Sequence, residues 1–74
     1  MANIIQKSPT IILRRKKVEE RTGLSRSTIY LRVQKGTFPR QINLGGRAVG
    51  WLENEIEMWI TSQVERRSDK REVV

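Results

Sequence analysis

The apolar positions change their spacing along the chain, and each spacing predicts an element. Ile11, Ile12 and Leu13 make a short apolar run. It leads into a stretch of Lys, Arg, Glu and Thr whose one clear inward position is Val18. That stretch, residues 15 to 22, is predicted as a first helix, stopped by Gly23 because glycine adopts left-handed backbone at no steric cost. Its amphipathicity is weak, so it must lean on its neighbours, with Leu13 and Leu24 flanking it. A second helix is predicted over residues 26 to 35. Ser25 caps its free amides, Gly36 ends it, and Ile29 and Val33, four apart, share its packed face. Ser27, Tyr30, Leu31 and Gln34 fall on the displayed face. The link between the two helices is very short, so they meet at an angle and leave the second free to project.

Past Pro39 the pattern shortens. Gln41 to Leu44 and Ala48 to Trp51 are β-compatible runs around Gly45-Gly46, which suits a hairpin turn, with Arg40 at its base and Arg47 at its tip. Phe38 is expected as a core plug. Leu52, Ile56, Trp59, Ile60 and Val64 then form one helical stripe, with Trp59 as a buried ring, while Glu53, Glu55, Glu57 and Glu65 occupy much of the remainder. Residues 1 to 10 carry no sustained period and include Ser8-Pro9, so they read as a flexible arm, and the polar residues 68 to 74 read as a flexible tail. The expected fold is mainly α with a small β-hairpin, a winged helix-turn-helix domain over residues 11 to 67.

Charge adds a partner to this outline. Fifteen Lys and Arg against eight Asp and Glu give a net charge of +7 on 74 residues. Residues 1 to 50 hold 11 basic and 2 acidic side chains, whereas residues 51 to 74 hold 4 and 6, so a polyanion feels the first two-thirds of the chain. Ten of the fifteen cations are Arg, the side chain best shaped for bidentate contact with phosphate and guanine. The acidic last helix is expected to buttress the fold on the side away from the nucleic acid. With no Cys and no His, neither disulfides nor thiolate metal sites are available. A reducing cytoplasm is the expected compartment, and no run approaches the roughly 20 apolar residues that span a bilayer.

Catalysis finds little support. Glu53 and Glu57 share a helix face, but no His, Cys or Asp stands nearby in sequence to complete a site, and glutamates in a first helical turn already suit the helix dipole. Ser25, Ser27 and Thr28 have no histidine base. The chain is read as a non-enzyme without metal, cofactor or small-molecule ligand.

The expected partner is double-stranded DNA. The second helix enters the major groove. Its N-terminal amides and Ser25, Ser27 and Thr28 hold phosphates, and Arg26 is the best candidate to read guanine. Tyr30, one turn on, and Leu31 and Gln34 extend the displayed face; the Tyr30 hydroxyl is suited to a phosphate, a base edge or a structural hydrogen bond. Arg47 grips the backbone or minor groove from the wing, while Arg14, Lys16, Lys17 and Arg40 add attraction that salt screens.

Four stretches, in this order, resemble the AlpA family of phage and prophage regulators, a MerR-like and excisionase-like branch of the winged helix-turn-helix group. They are Gly23 to Tyr30, Gly36-Thr37-Phe38-Pro39, Leu44 to Leu52, and Glu55 to Trp59-Ile60. The resemblance covers about residues 12 to 60. It implies a transcription regulator of a phage or integrative element, or, as in some relatives, a recombination directionality factor serving an integrase. A third reading is a protein-interaction module that holds DNA loosely. The chain departs from the family pattern at Arg15, where an apolar residue is common, and at Leu31-Arg32, where basic then apolar is common. Leu31 therefore suits either a thymine methyl or a partner subunit. A domain this small reads few base pairs alone, so dimers or DNA-bound arrays are expected.

Overall fold

Strand β1 (Ile12–Leu13) opens the fold, in a computed structural model that describes the backbone of residues 10–71 and the side chains of residues 10–67. The arm expected over residues 1 to 10 thus lies, except for Thr10, outside the described residues. After β1 come α1 (Arg15–Thr22), α2 (Arg26–Lys35), β2 (Ile42–Gly45), β3 (Ala48–Leu52) and α3 (Glu53–Arg71). Both short helices end at their predicted glycines, and α2 begins at its predicted Ser25 cap. Gly23 and Gly36 take left-handed backbone at φ 77° and 78°, and the Ser25 side chain accepts the Thr28 amide at 3.2 Å.

The expected hairpin is one part of a three-stranded antiparallel sheet in the order β1-β3-β2. Ile12 pairs with Leu52 and Leu13 with Trp51, using the edge of β3 that the hairpin leaves open. Two extended residues are too few to show a period of two, which is why this strand reads in sequence only as an apolar run. The turn also sits one residue later than the Gly45-Gly46 pair suggests. Gly45 pairs with Ala48 after a register shift beyond Asn43, so Gly46 and Arg47 form the turn itself. Gly45 and Gly46 both have positive φ, and Arg47 stands exposed at the tip.

Trp51, fully buried on the central strand, is the largest side chain of the core, packed with Leu13, Val18, Ile29, Phe38 and Ile56. Its indole Nε1 donates to the Pro39 carbonyl at 2.9 Å, which joins β3 to the segment after α2. Trp59, expected as the buried ring, is half-buried at the margin instead. It donates from Nε1 to the Thr37 carbonyl at 2.9 Å and meets Phe38 edge-on with ring centres 4.9 Å apart. Position explains the exchange. Leu13 and Trp51 face inward between the sheet and the helices, whereas Trp59 packs against that core from its margin and Val64 is half exposed. No Gly or Pro interrupts α3, and its backbone stays helical to Arg71, past the domain boundary expected at residue 67.

Candidate nucleic-acid interface

Helix α2 starts with three hydroxyls gathered over its free amides. Ser25 Oγ accepts from the Thr28 amide and lies 3.0 Å from Thr28 Oγ1 and 3.4 Å from Ser27 Oγ. Ser25, Arg26 and Ser27 are exposed and Thr28 is half-buried, so Ser25 and Thr28 hold the helix start in shape while Arg26 and Ser27 reach outward. Leu31 and Gln34 continue the exposed stripe, one and two turns on from Ser27.

Tyr30 departs from the displayed face assigned to it. It is half-buried, its ring tilted against Trp51 with centres 6.1 Å apart. One residue after Ile29 and three before Val33, it borders the packed face, and its large ring is drawn over the edge of the core.

Three segments then converge. Arg14, Arg15 and Lys16 at the start of α1, Arg26 and Tyr30 of α2, and Arg47 and Val49 of the hairpin line one hollow of about 430 Å³. No carboxylate lines it. Arg15 is answered by Glu19 at 3.0 Å, along its own helix. Among the described residues, Arg14, Lys16, Arg26 and Arg47 have no carboxylate within ion-pair distance. Arg14, expected from the sequence to add only diffuse attraction, donates from Nε to the Val49 carbonyl at 3.0 Å and so ties the start of α1 to the hairpin. No local sequence pattern announces a contact spanning 35 residues.

Two of the expected residues stand apart from this group. Lys17 faces Glu20 at 3.4 Å, with both side chains well exposed. Arg40 lines a different groove, of about 890 Å³, beside Phe38, Met58, Trp59, Glu55 and Arg66. The loop from Thr37 to Gln41 passes along α3, so Arg40 is carried away from the hollow that holds Arg47.

The acidic side chains are committed elsewhere. Glu53 and Glu57, one turn apart on α3, close on Arg21 at 2.5 and 2.6 Å. The hydrogen bond that Arg21 donates to Glu53, reinforced by the charge of both carboxylates, raises the Arg21 pKa above its ordinary value. A reading from helix dipole alone misses the clamp, because the partner lies on another helix 32 residues away. Among the described residues there is no group of three or more acidic, His or Cys side chains able to hold a metal ion, and no helix long and apolar enough to cross a membrane.

Comparison with known proteins adds identity to this geometry. Residues 11–64 match the family described as prophage CP4-57 regulatory protein (AlpA). An uncharacterized protein of Enterobacteria phage P4, ORF88, is 49% identical over 45 residues, 61% of this chain and 51% of that protein. The chain thus spans about half the length of the phage P4 relative. The DNA-binding transcriptional activator AlpA of Escherichia coli K12 is 36% identical over 63 residues, 77% of this chain and 90% of the relative. No solved structure matches the chain. The matched span runs from the residue before β1 into the second half of α3 and so takes in the whole sheet, both short helices and the basic hollow: the chain belongs to the AlpA family of prophage regulatory proteins.

Proposed function

We propose that this chain is a sequence-specific DNA-binding transcriptional regulator of a phage or integrative element, built as a winged helix-turn-helix. Helix α2 lies in the major groove, and the β2–β3 hairpin is the wing on the adjacent backbone or minor groove. The observation that carries this reading is the hollow where the start of α2 meets the wing, lined by cations from three segments and by no carboxylate. Side chains of that kind neutralise phosphates, while Ser27, Leu31 and Gln34 along the exposed stripe are free for base edges. The relative in Escherichia coli, a DNA-binding transcriptional activator, supports the same assignment. Pairing of copies on DNA supplies the specificity one small domain lacks.

Selection from a random duplex pool, followed by footprinting, tests the proposal. The selected duplex binds at least about a hundredfold more tightly than a scrambled one, the effect of one or two mismatched base pairs. Equal affinity for both removes sequence specificity and with it the regulator. An isolated protected site fits transcriptional control; a phased array across an attachment site moves the chain to recombination directionality.

A further inference from the structure

The hollow contains a feature that general DNA attraction does not require. Its lining is rich in donors: the guanidinium groups of Arg14, Arg15, Arg26 and Arg47 and the ammonium of Lys16, with Tyr30 beside them and Arg15 already paired with Glu19. The Val49 carbonyl, an acceptor on its wall, is already taken by Arg14 Nε. In the major groove every base pair presents a donor beside its acceptors, whereas a phosphodiester presents acceptors only. Arg14 is the informative member. A guanidinium has five N–H donors in a planar fork, and the bond to Val49 uses one, which leaves the two terminal nitrogens for an anion. The same side chain can therefore hold the wing and grip a ligand, which a lysine, with one point charge, does poorly.

We infer that this hollow seats a single backbone phosphodiester of the bound duplex, held jointly by Arg14, Arg26 and Arg47, and that this shared grip sets the spacing between wing and recognition helix. The inference rests on the DNA-binding reading above. Arg14 is both a ligand to the phosphate and a positioning residue for the wing. Without an anion the clustered cations repel one another, so the seat also stores a small instability that DNA relieves.

The test pairs neutral methylphosphonate linkages, placed one at a time along both strands of the selected duplex, with variants of the full chain. Wild-type protein loses roughly tenfold or more in affinity at one particular linkage, as expected for charge-assisted hydrogen bonds. Arg26→Gln, Arg47→Gln and Arg14→Lys each bind more weakly, and in each the penalty at that same linkage shrinks markedly. Arg26 and Arg47 are exposed, so their substitution leaves the fold intact. Arg47→Gln further raises the melting temperature of the free protein at low salt. Penalties that shrink at different linkages for Arg26 and Arg47, or at none, overturn the shared seat while leaving sequence-specific binding in place. Failure of wild-type protein to prefer the selected duplex sinks the underlying reading instead. Inorganic phosphate serves as a control: at matched ionic strength it competes with the duplex no better than chloride. Specific competition by phosphate assigns the hollow to a free anion and overturns the proposal.

Discussion

Gly50 has no room for a side chain. A Cβ built there would stand 2.5 Å from Ile12 Cγ2, 3.1 Å from the Leu13 carbonyl oxygen and 3.3 Å from Leu44 Cδ1. The nearest obstacle is a methyl on a β-branched carbon and the next is backbone, so neither swings aside easily. Gly50→Ala is expected to destabilise the domain by about 1 to 3 kcal/mol, measurable by thermal melting; an unchanged melting temperature means that β1 does not pack against β3 as described. Core size was harder to read than core membership. Val18, Ile29, Ile56 and Phe38 follow from spacing and residue type, yet the spacing of the last helix favours Trp59 over Trp51, because a five-residue strand carries too few positions to advertise a central ring. Trp51→Ala is expected to cost about 3 to 5 kcal/mol, most of the stability of a domain this small, and to abolish a cooperative melt. Trp59→Ala costs less, roughly 1 to 3 kcal/mol, and keeps a transition. The reverse order places the core on α3. Arg26→Ala is expected to weaken the selected and the scrambled duplex by a similar factor, about tenfold, as the loss of a phosphate contact does. Relaxed preference at one base pair makes Arg26 a base reader and takes it out of the phosphate seat.

At the scale of elements, punctuation was legible and pairing was not. Gly23, Ser25 and Gly36 act within a few residues of their own position, so α1 and α2 could be bounded from local chemistry. The third strand, the tie from Arg14 to Val49 and the clamp of Glu53 and Glu57 on Arg21 each join residues far apart in sequence, where no periodicity reports them. Together these contacts fix α1 to the β2–β3 hairpin on one side and to α3 on the other, so α2 sits on a braced frame. In the proposed complex the hairpin contributes mainly charge. Arg47→Ala is expected to make the salt dependence of DNA binding shallower by about one unit of log–log slope or less, with little change in sequence preference. An unaltered slope takes the wing out of the interface.

Across the whole molecule, the charge asymmetry seen in the sequence becomes a two-sided object. Cations of α1, α2 and the wing surround one hollow, while carboxylates of α3 turn to Arg21. That the cations gather was therefore visible from composition, but where they gather was not, since Arg40 and Lys17 looked equivalent to Arg47 and Lys16 until the chain was folded. The most direct measurement is a titration of isotope-labelled protein with the selected duplex, followed residue by residue through backbone amide and arginine side-chain NMR signals. The account predicts large shifts at Arg14, Lys16, Arg26, Tyr30 and Arg47, with Arg40, Met58 and Glu57 nearly silent. Shifts centred on Arg40, Met58 and Trp59, or none at all, would contradict it.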